Sequence, residues 1–368
     1  MLEGPTVAID VGPLHGRRTG VGNAVAWTID ALADQPVELL PYLTSTRARV
    51  ERPERRLPIP AAVALRWWAR PMPTPLRRLH ERWIGRPDVV HGTNYIAPPT
   101  TRPTLISVYD CWFLEHRDEA LPDVRRAADV LARAVADGAH VVTSSQATAN
   151  RVGELLDTGR VRTIHLGPPP AARRVVAGDP LGLAGAPFAV AVGTAEKRKN
   201  YPTLVRAFAR LAAEHPDAQL VIAGAAGDDS GPTARALDAL DRPVRRRVHV
   251  AGPVDDDTKA WLLANATVLA YPSLDEGFGF PILEAQAAGT PVVASTAGSI
   301  PEIAGSAALL SSPTDVEALA ANLFWLFTSD DMAQKMIRRG HDNVGRFSWE
   351  STAAALTALY RSLAESDG

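Results

Sequence analysis

Along the first half of the chain, short runs of aliphatic and β-branched residues alternate with longer stretches whose apolar positions recur every three or four residues. The short runs predict strands at Val7–Val11, Val37–Tyr42, Asp88–His91, Thr104–Tyr109, His140–Thr143 and Val161–His165. The longer ones predict helices at Val21–Asp34, Pro122–Asp137 and Ser145–Leu156. This alternation argues for a parallel sheet with crossover helices.

The pattern breaks at Leu166-Gly167-Pro168-Pro169-Pro170. A proline run continues neither a helix nor a central strand, so 167–186 reads as a linker. The alternation restarts with strands at Phe188–Val192, Gln219–Ala223, Arg247–Ala251, Thr267–Ala270 and Pro291–Ala294. Helices are expected at Tyr201–Glu214, Thr233–Leu240 and Thr258–Ala264, and the end is all helical, at Thr314–Thr328, Asp331–Gly345 and Ser348–Ala364. The prediction is an α/β protein of two doubly wound, Rossmann-like domains, 1–170 and 187–347, facing each other across a cleft. Open α/β sheets bind ligands at the carboxyl ends of their strands, so two such edges suit a two-substrate enzyme.

Composition narrows this. The 368 residues suit two domains, and a formal charge of −2 gives no sign of a nucleic-acid partner. The single cysteine, Cys111, allows no internal disulfide, which fits a reducing, cytoplasmic setting. The opening residues show no signal-peptide pattern, and no apolar stretch is long enough to predict a spanning helix. Of 39 basic residues only Lys197, Lys199, Lys259 and Lys335 are lysines. Against that arginine-rich background the stretch Lys197-Arg198-Lys199-Asn200 stands out. The region 45–87 carries eleven arginines against three glutamates, a local balance of +8, together with Trp67, Trp68 and Trp83. It reads either as a solvated loop with a tryptophan-packed helix or as a peripheral contact with an anionic membrane face, the inner one for a cytoplasmic protein.

The segment with the clearest chemistry runs from Tyr271 to Gly289. A strand ends near Ala270, a loop with Gly277 and Gly279 follows, and a helix begins with Pro281 in its first turn, where proline is tolerated. The first amides of that helix, around Phe280 to Leu283, lack carbonyl partners within it, and the helix dipole is positive there. The two glycines let a ligand approach the backbone. This predicts a phosphate site flanked by Glu276 and Glu284, two carboxylates suited to accept sugar hydroxyls. The basic stretch follows Val192-Gly193-Thr194 at the same sheet edge, where Arg198 and Lys199 can neutralise a diphosphate in place of a metal ion. Asp255-Asp256-Asp257 precedes a helix and reads as capping rather than as a metal site. In the first half, Gly20-Val21-Gly22 reads as a loop facing the cleft. His91, Asn94 and Tyr95, and then Tyr109 and Asp110, follow strands and are expected to line it too.

At these residues the chain resembles a family 4 glycosyltransferase of the GT-B fold, in the group that includes many bacterial mannosyltransferases. Glu276 to Glu284 matches that family's E-x7-E motif, and Val192-Gly193-Thr194 through Lys197-Arg198-Lys199-Asn200 matches its basic segment. Asp88-Val89-Val90-His91-Gly92-Thr93-Asn94, Gly20-Val21-Gly22 and Phe347-Ser348-Trp349-Glu350 agree in kind and order. The resemblance spans roughly 5–362. It implies a retaining, metal-independent hexosyltransferase with no cofactor, acting in cell-envelope polysaccharide or related synthesis. The donor would be a nucleotide sugar, GDP-mannose favoured, held by the C-terminal domain.

By the resemblance, Arg198 and Lys199 would contact the diphosphate, Glu284 the ribose and Glu276 the sugar. Gly277, Phe278 and Gly279, with Phe280, Ile282 and Leu283 behind them, would border sugar and phosphates. Gly193 and Thr194 would flank the phosphates, and Gly252 and Val254 the base. Gly20, Val21, Gly22, His91, Asn94, Tyr95 and Asp110 would lie on the acceptor side, and the helix of 348–368 would return to the N-terminal domain. Two departures stand out. Tyr109 occupies the place of a histidine that lies near the donor sugar in relatives, and Asn23 stands where relatives often carry arginine. A catalytically inactive partner subunit and a sugar-nucleotide epimerase are the alternatives.

Overall fold

The computed structural model describes residues 4–15, 19–46, 48, 53–170, 178–183 and 185–366. The chain divides into two compact units, one of 1–167 with 348–368 and one of 168–347.

The first unit is built on a seven-stranded parallel sheet. Its strands are β1 (Thr6–Asp10), β2 (Glu38–Thr44), β3 (Arg55–Leu57), β4 (Val89–Gly92), β5 (Thr104–Val108), β6 (His140–Thr143) and β7 (Val161–Thr163), in the order β3-β2-β1-β4-β5-β6-β7. The second unit holds a six-stranded parallel sheet of β8 (Phe188–Val192), β9 (Gln219–Ala223), β10 (Val248–Gly252), β11 (Val268–Tyr271), β12 (Val292–Ser295) and β13 (Leu309–Ser311), ordered β10-β9-β8-β11-β12-β13. Central strands covered on both faces read as continuous apolar runs, which is why Phe188-Ala189-Val190-Ala191-Val192 was legible as a strand. In each sheet the order reverses beside the first strand of the unit, between β1 and β4 and between β8 and β11. Such a switch point leaves a crevice at the strands' carboxyl ends.

The last helix, Trp349–Glu365, belongs to the first unit. Its Ala353, Leu356, Tyr360 and Leu363 are buried with Val7, Ile9, Val89 and Leu105. Ser348 caps its start by accepting from the Ser351 amide at 3.1 Å, and Thr352 Oγ1 donates to the His165 carbonyl at 2.8 Å. Gly167 packs tightly against the start of this helix, where a Cβ would lie 2.5 Å from the Trp349 ring.

Three expectations change. The edge strands β3 and β13 were not foreseen, since each is three residues long and β3 begins with two arginines, a pattern that keeps an edge unattractive to further strands. Gly20-Val21-Gly22 is the first turn of the Gly20–Leu32 helix rather than a loop, with Thr19 Oγ1 accepting from the Gly22 amide at 3.4 Å. The linker expected over 167–186 is part of the fold near its end, where Leu183 is buried in the second unit's core beside Phe188 and Trp261. Residues 171–177 and 184 of that segment lie outside the described residues, as do 47 and 49–52 of the basic region.

Within that basic region, Trp68 is buried and meets the His80 ring edge-on at 5.7 Å, whereas Trp67 is 57% exposed. Trp67 lines a surface groove of about 690 Å³ with Arg66, Arg70, Arg126 and Arg133.

Candidate functional site

The second unit's sheet edge is assembled by three turns. After β8, Gly193 takes φ 144° and leads into Lys197–Lys199, a single 3-10 turn that ends at Asn200 in the left-handed region, φ 58°. Asn200 is one of the few residue types that tolerates this conformation. Its Nδ2 donates to the carbonyls of Pro272 (3.0 Å) and Pro313 (2.7 Å). The Leu274 amide donates to the Arg198 carbonyl at 2.7 Å. The basic turn is thereby tied to the loop that follows β11.

That loop carries Glu276. Ser299 N donates to the Glu276 carbonyl (3.0 Å), and Ser299 Oγ to that of Phe278 (3.1 Å). Gly298, at φ 54°, has no room for a side chain, since a Cβ would sit 2.4 Å from Asp275 Oδ1. Gly279 at φ 102° then opens the Phe280–Ala287 helix with no side-chain cap.

The charges converge on Glu276, which is 6% exposed. Lys199 Nζ donates to Oε1 at 2.5 Å, Ser273 Oγ to the same oxygen at 2.8 Å, and Arg198 Nη1 to Oε2 at 2.7 Å. Lys199 Nζ also reaches the Tyr271 hydroxyl at 3.1 Å and lies 4.9 Å from that ring's centre. Arg198 Nε is paired with Glu196 at 2.8 Å. Burial alone would raise the Glu276 carboxyl, but the Lys199 and Arg198 charges and the Lys199 hydrogen bond outweigh it and hold the group at about 2. Burial lowers the Lys199 ammonium from its ordinary value, with Glu276 opposing. Burial raises the Tyr271 hydroxyl, so it stays protonated.

Glu284 is placed differently. It lies on the Phe280–Ala287 helix, 5% exposed, and its Oε1 accepts from Lys259 Nζ at 2.7 Å. Lys259 comes from the Asp256–Asn265 helix, whose start is capped by Asp255 accepting from the Thr258 amide at 2.8 Å. Asp255 is thus the capping residue its sequence position suggested.

The structure brings Gly193, Arg198, Lys199 and Glu276 together, and a Cβ on Gly193 would lie 3.2 Å from Lys199 Cε. Thr194 follows β8, Gly252 (φ 68°) ends β10 and Val254 comes just after it, all half-buried at the same strand ends. Phe278 is a packing residue, edge-on to Phe280 at 5.2 Å and Phe347 at 5.8 Å. Two expectations are corrected. Ile282 and Leu283 are wholly buried core residues, and the Ile282 amide expected to be open donates to the Gly279 carbonyl at 3.0 Å. The tight turn at Gly279 supplies that carbonyl, and Ile282 packs into the core with Tyr271 and Val292.

In the first unit, His91 is also corrected. It is 1% exposed, with Nδ1 2.7 Å from the Tyr360 hydroxyl and Nε2 2.9 Å from Ser107 Oγ. Burial lowers it to about 3, so it is a neutral residue that anchors the last helix. Tyr95, at φ 63°, donates to Asp110 Oδ2 at 3.3 Å and packs edge-on against Tyr109 at 6.3 Å. Tyr109 is half-buried, its hydroxyl raised by burial, and lines a cavity of about 30 Å³ with Ser107, Thr93 and Thr143. Asn94 and Asp110 sit beside them, half-buried at the ends of β4 and β5.

Sequence reasoning missed Ser273 and Tyr271, which flank Glu276, and gave Lys259 no role. It also missed Asp10 at the end of β1. Burial raises that carboxyl to about 6, against the opposing Gly12 amide hydrogen bond and His15. The scarcity of lysine was the available signal for Lys259.

Two Rossmann-like units with these sheet orders define the GT-B class of fold. A sucrose-phosphate synthase from Thermosynechococcus elongatus superposes with a TM-score of 0.76 at 20% identity, covering 98% of this chain and all of that one. Residues 181–343 match the family described as Glycosyl transferases group 1, and this segment, most of the second unit, is a domain of that family. Its relatives include O-antigen chain mannosyltransferase B of Escherichia coli, 33% identical over 186 residues, which is 49% of this chain and 47% of that protein. They also include MMP alpha-(1->4)-mannosyltransferase of Mycolicibacterium hassiacum, 39% identical over 170 residues, 44% of this chain and 39% of that protein. The chain thus spans less than half the length of these relatives.

Proposed function

We propose that the protein is a retaining, metal-independent glycosyltransferase that moves a hexose from a nucleoside-diphosphate sugar to an acceptor hydroxyl. Mannose is the favoured sugar and GDP-mannose the favoured donor, because the two relatives named above are mannosyltransferases. The acceptor would be a saccharide, a lipid-linked saccharide or a small molecule.

The observation that carries this reading is the shared carboxylate. Arg198 and Lys199 stand beside an uncapped helix start and are both engaged by Glu276. A diphosphate arriving there takes over the two cations, and Glu276 is released to accept sugar hydroxyls. As the glycosidic bond breaks, its electron pair goes to the leaving diphosphate, and the fixed cations stabilise that charge without reorganising. Glu284 accepts from the ribose. The acceptor oxygen bonds to the anomeric carbon on the face the diphosphate leaves, and its proton passes to a diphosphate oxygen. Tyr95, Tyr109, Asn94 and Asp110 serve the acceptor side, with Gly20 and Val21 at the start of the first helix.

We place this activity in the cytoplasm. The exposed Trp67 among arginines favours docking on an anionic inner membrane face. No helix among the described residues is long and apolar enough to cross a membrane.

The test is nucleotide release from a panel of nucleotide sugars by purified protein in excess chelator. Turnover that persists supports the reading. Turnover abolished by chelator and restored by magnesium or manganese overturns the metal-independent mechanism. Donor binding with neither hydrolysis nor transfer to any acceptor favours an inactive partner subunit.

A further inference from the structure

The two motif glutamates are satisfied unequally. Glu276 accepts three hydrogen bonds, which use both oxygens. Glu284 is buried to the same degree, yet its only side-chain partner among the described residues is Lys259, on Oε1. Its Oε2 accepts no hydrogen bond there. That oxygen is not among the buried side-chain atoms without a partner, so it reaches the open side of the site and is available to accept from a ligand. Lys259 is in the opposite condition. Its side chain is 26% exposed, so its ammonium is held at the mouth of the site with N–H groups to spare.

A vicinal diol needs such a pair, because each hydroxyl both donates and accepts. We propose that Lys259 is a positioning and specificity residue that fixes the Glu284 rotamer and, with it, reads the 2′,3′-diol of a ribonucleoside diphosphate. Glu284 Oε2 accepts from one hydroxyl and Lys259 Nζ donates to the other's oxygen. Lysine suits this task, being a compact cation with three rotatable donors. The helix that carries it starts four residues after Gly252, at the end of β10. The site therefore takes ribonucleotides in preference to 2′-deoxyribonucleotides, which narrows the donor away from thymidine-linked sugars. This inference rests on the donor reading above.

Calorimetric titration of GDP, UDP, their 2′-deoxy counterparts and pyrophosphate tests it, on native protein and on Lys259→Met, Lys259→Arg, Glu284→Gln and the Met/Gln double variant, each checked for an unchanged melting profile. The native protein should favour whichever ribonucleotide binds over its deoxy partner by about tenfold, one hydrogen bond's worth. Lys259→Met should erase that preference, lose about tenfold on the ribonucleotide and leave pyrophosphate within about twofold. Lys259→Arg should restore most of the affinity, and Lys259→Met should cost nothing further on the Glu284→Gln background. Native-like ribonucleotide affinity in Lys259→Met, or an equal loss on pyrophosphate, overturns the proposal and leaves the donor reading standing. Failure of the native protein to bind any nucleotide or pyrophosphate overturns the donor reading itself.

Discussion

The sheet edges of the two units are made from the same fold and carry opposite chemistry. The second unit's edge gathers Arg198, Lys199 and Lys259 around two buried glutamates. The first unit's edge offers hydroxyls and rings, from Tyr95, Tyr109 and Thr93, with Asp10 and Asp110 its nearby acids. Cations held by buried carboxylates are cations that an arriving anion can take over. An edge of hydroxyls and neutral rings is suited to polyols. The difference assigns the proposed diphosphate to the second unit on charge alone, independently of any motif.

The strongest blow to this contrast is Lys199→Ala. Removing one preorganised cation from a developing phosphate charge costs about 10²–10³ in rate, so transfer should fall by that factor while Tyr109 variants keep diphosphate affinity. A variant with near-native turnover would remove Lys199 from the mechanism. Next comes Tyr109→Phe. Loss of a hydroxyl partner from a built site costs about 1–3 kcal/mol, or roughly a five- to hundredfold slower transfer. Native rate with native donor preference would make Tyr109 a packing residue only.

The pH dependence of stability sharpens the second-unit side. Glu276 sits at about 2 against an ordinary 4.5. A depressed carboxyl stabilises the fold above its unfolded value, and that stability is lost as pH falls from about 4.5 towards 2. The effect is of the order of 3 kcal/mol. Melting curves from pH 5 to 3 should therefore fall more steeply for the native protein than for Glu276→Gln. Parallel curves would mean that the ion pairs are not formed in solution. The smallest effect concerns the arginine groove. The double variant Trp67→Ser with Arg70→Ser should weaken sedimentation with anionic vesicles at low salt by severalfold, since each basic residue near the surface is worth about 1 kcal/mol. Equal sedimentation, or none by the native protein, would assign the groove to solvent.

The central strands, the major helices and the Glu276–Glu284 segment were legible because each is written locally, as apolar runs or as a strand–glycine–helix order. The pairing partners were not. Ser273, Tyr271 and Lys259 meet the glutamates only through the packing of neighbouring turns, and no spacing announces that. His91 misled for the converse reason. A histidine at the end of a strand reads as exposed until the last helix, some 270 positions later, brings Tyr360 against it. The edge strands were hidden by their length and by Arg55 and Arg56.

The central claim is that the second unit binds a nucleoside diphosphate with Glu284 on the ribose and Glu276 on the transferred sugar. Its most direct test is the diphosphate affinity of Glu276→Gln and Glu284→Gln, measured by calorimetry with GDP and UDP. The account predicts a loss of about tenfold or more in Glu284→Gln. It predicts affinity unchanged or tightened in Glu276→Gln, where Arg198 and Lys199 are freed from their carboxylate. Equal losses in both variants would contradict it.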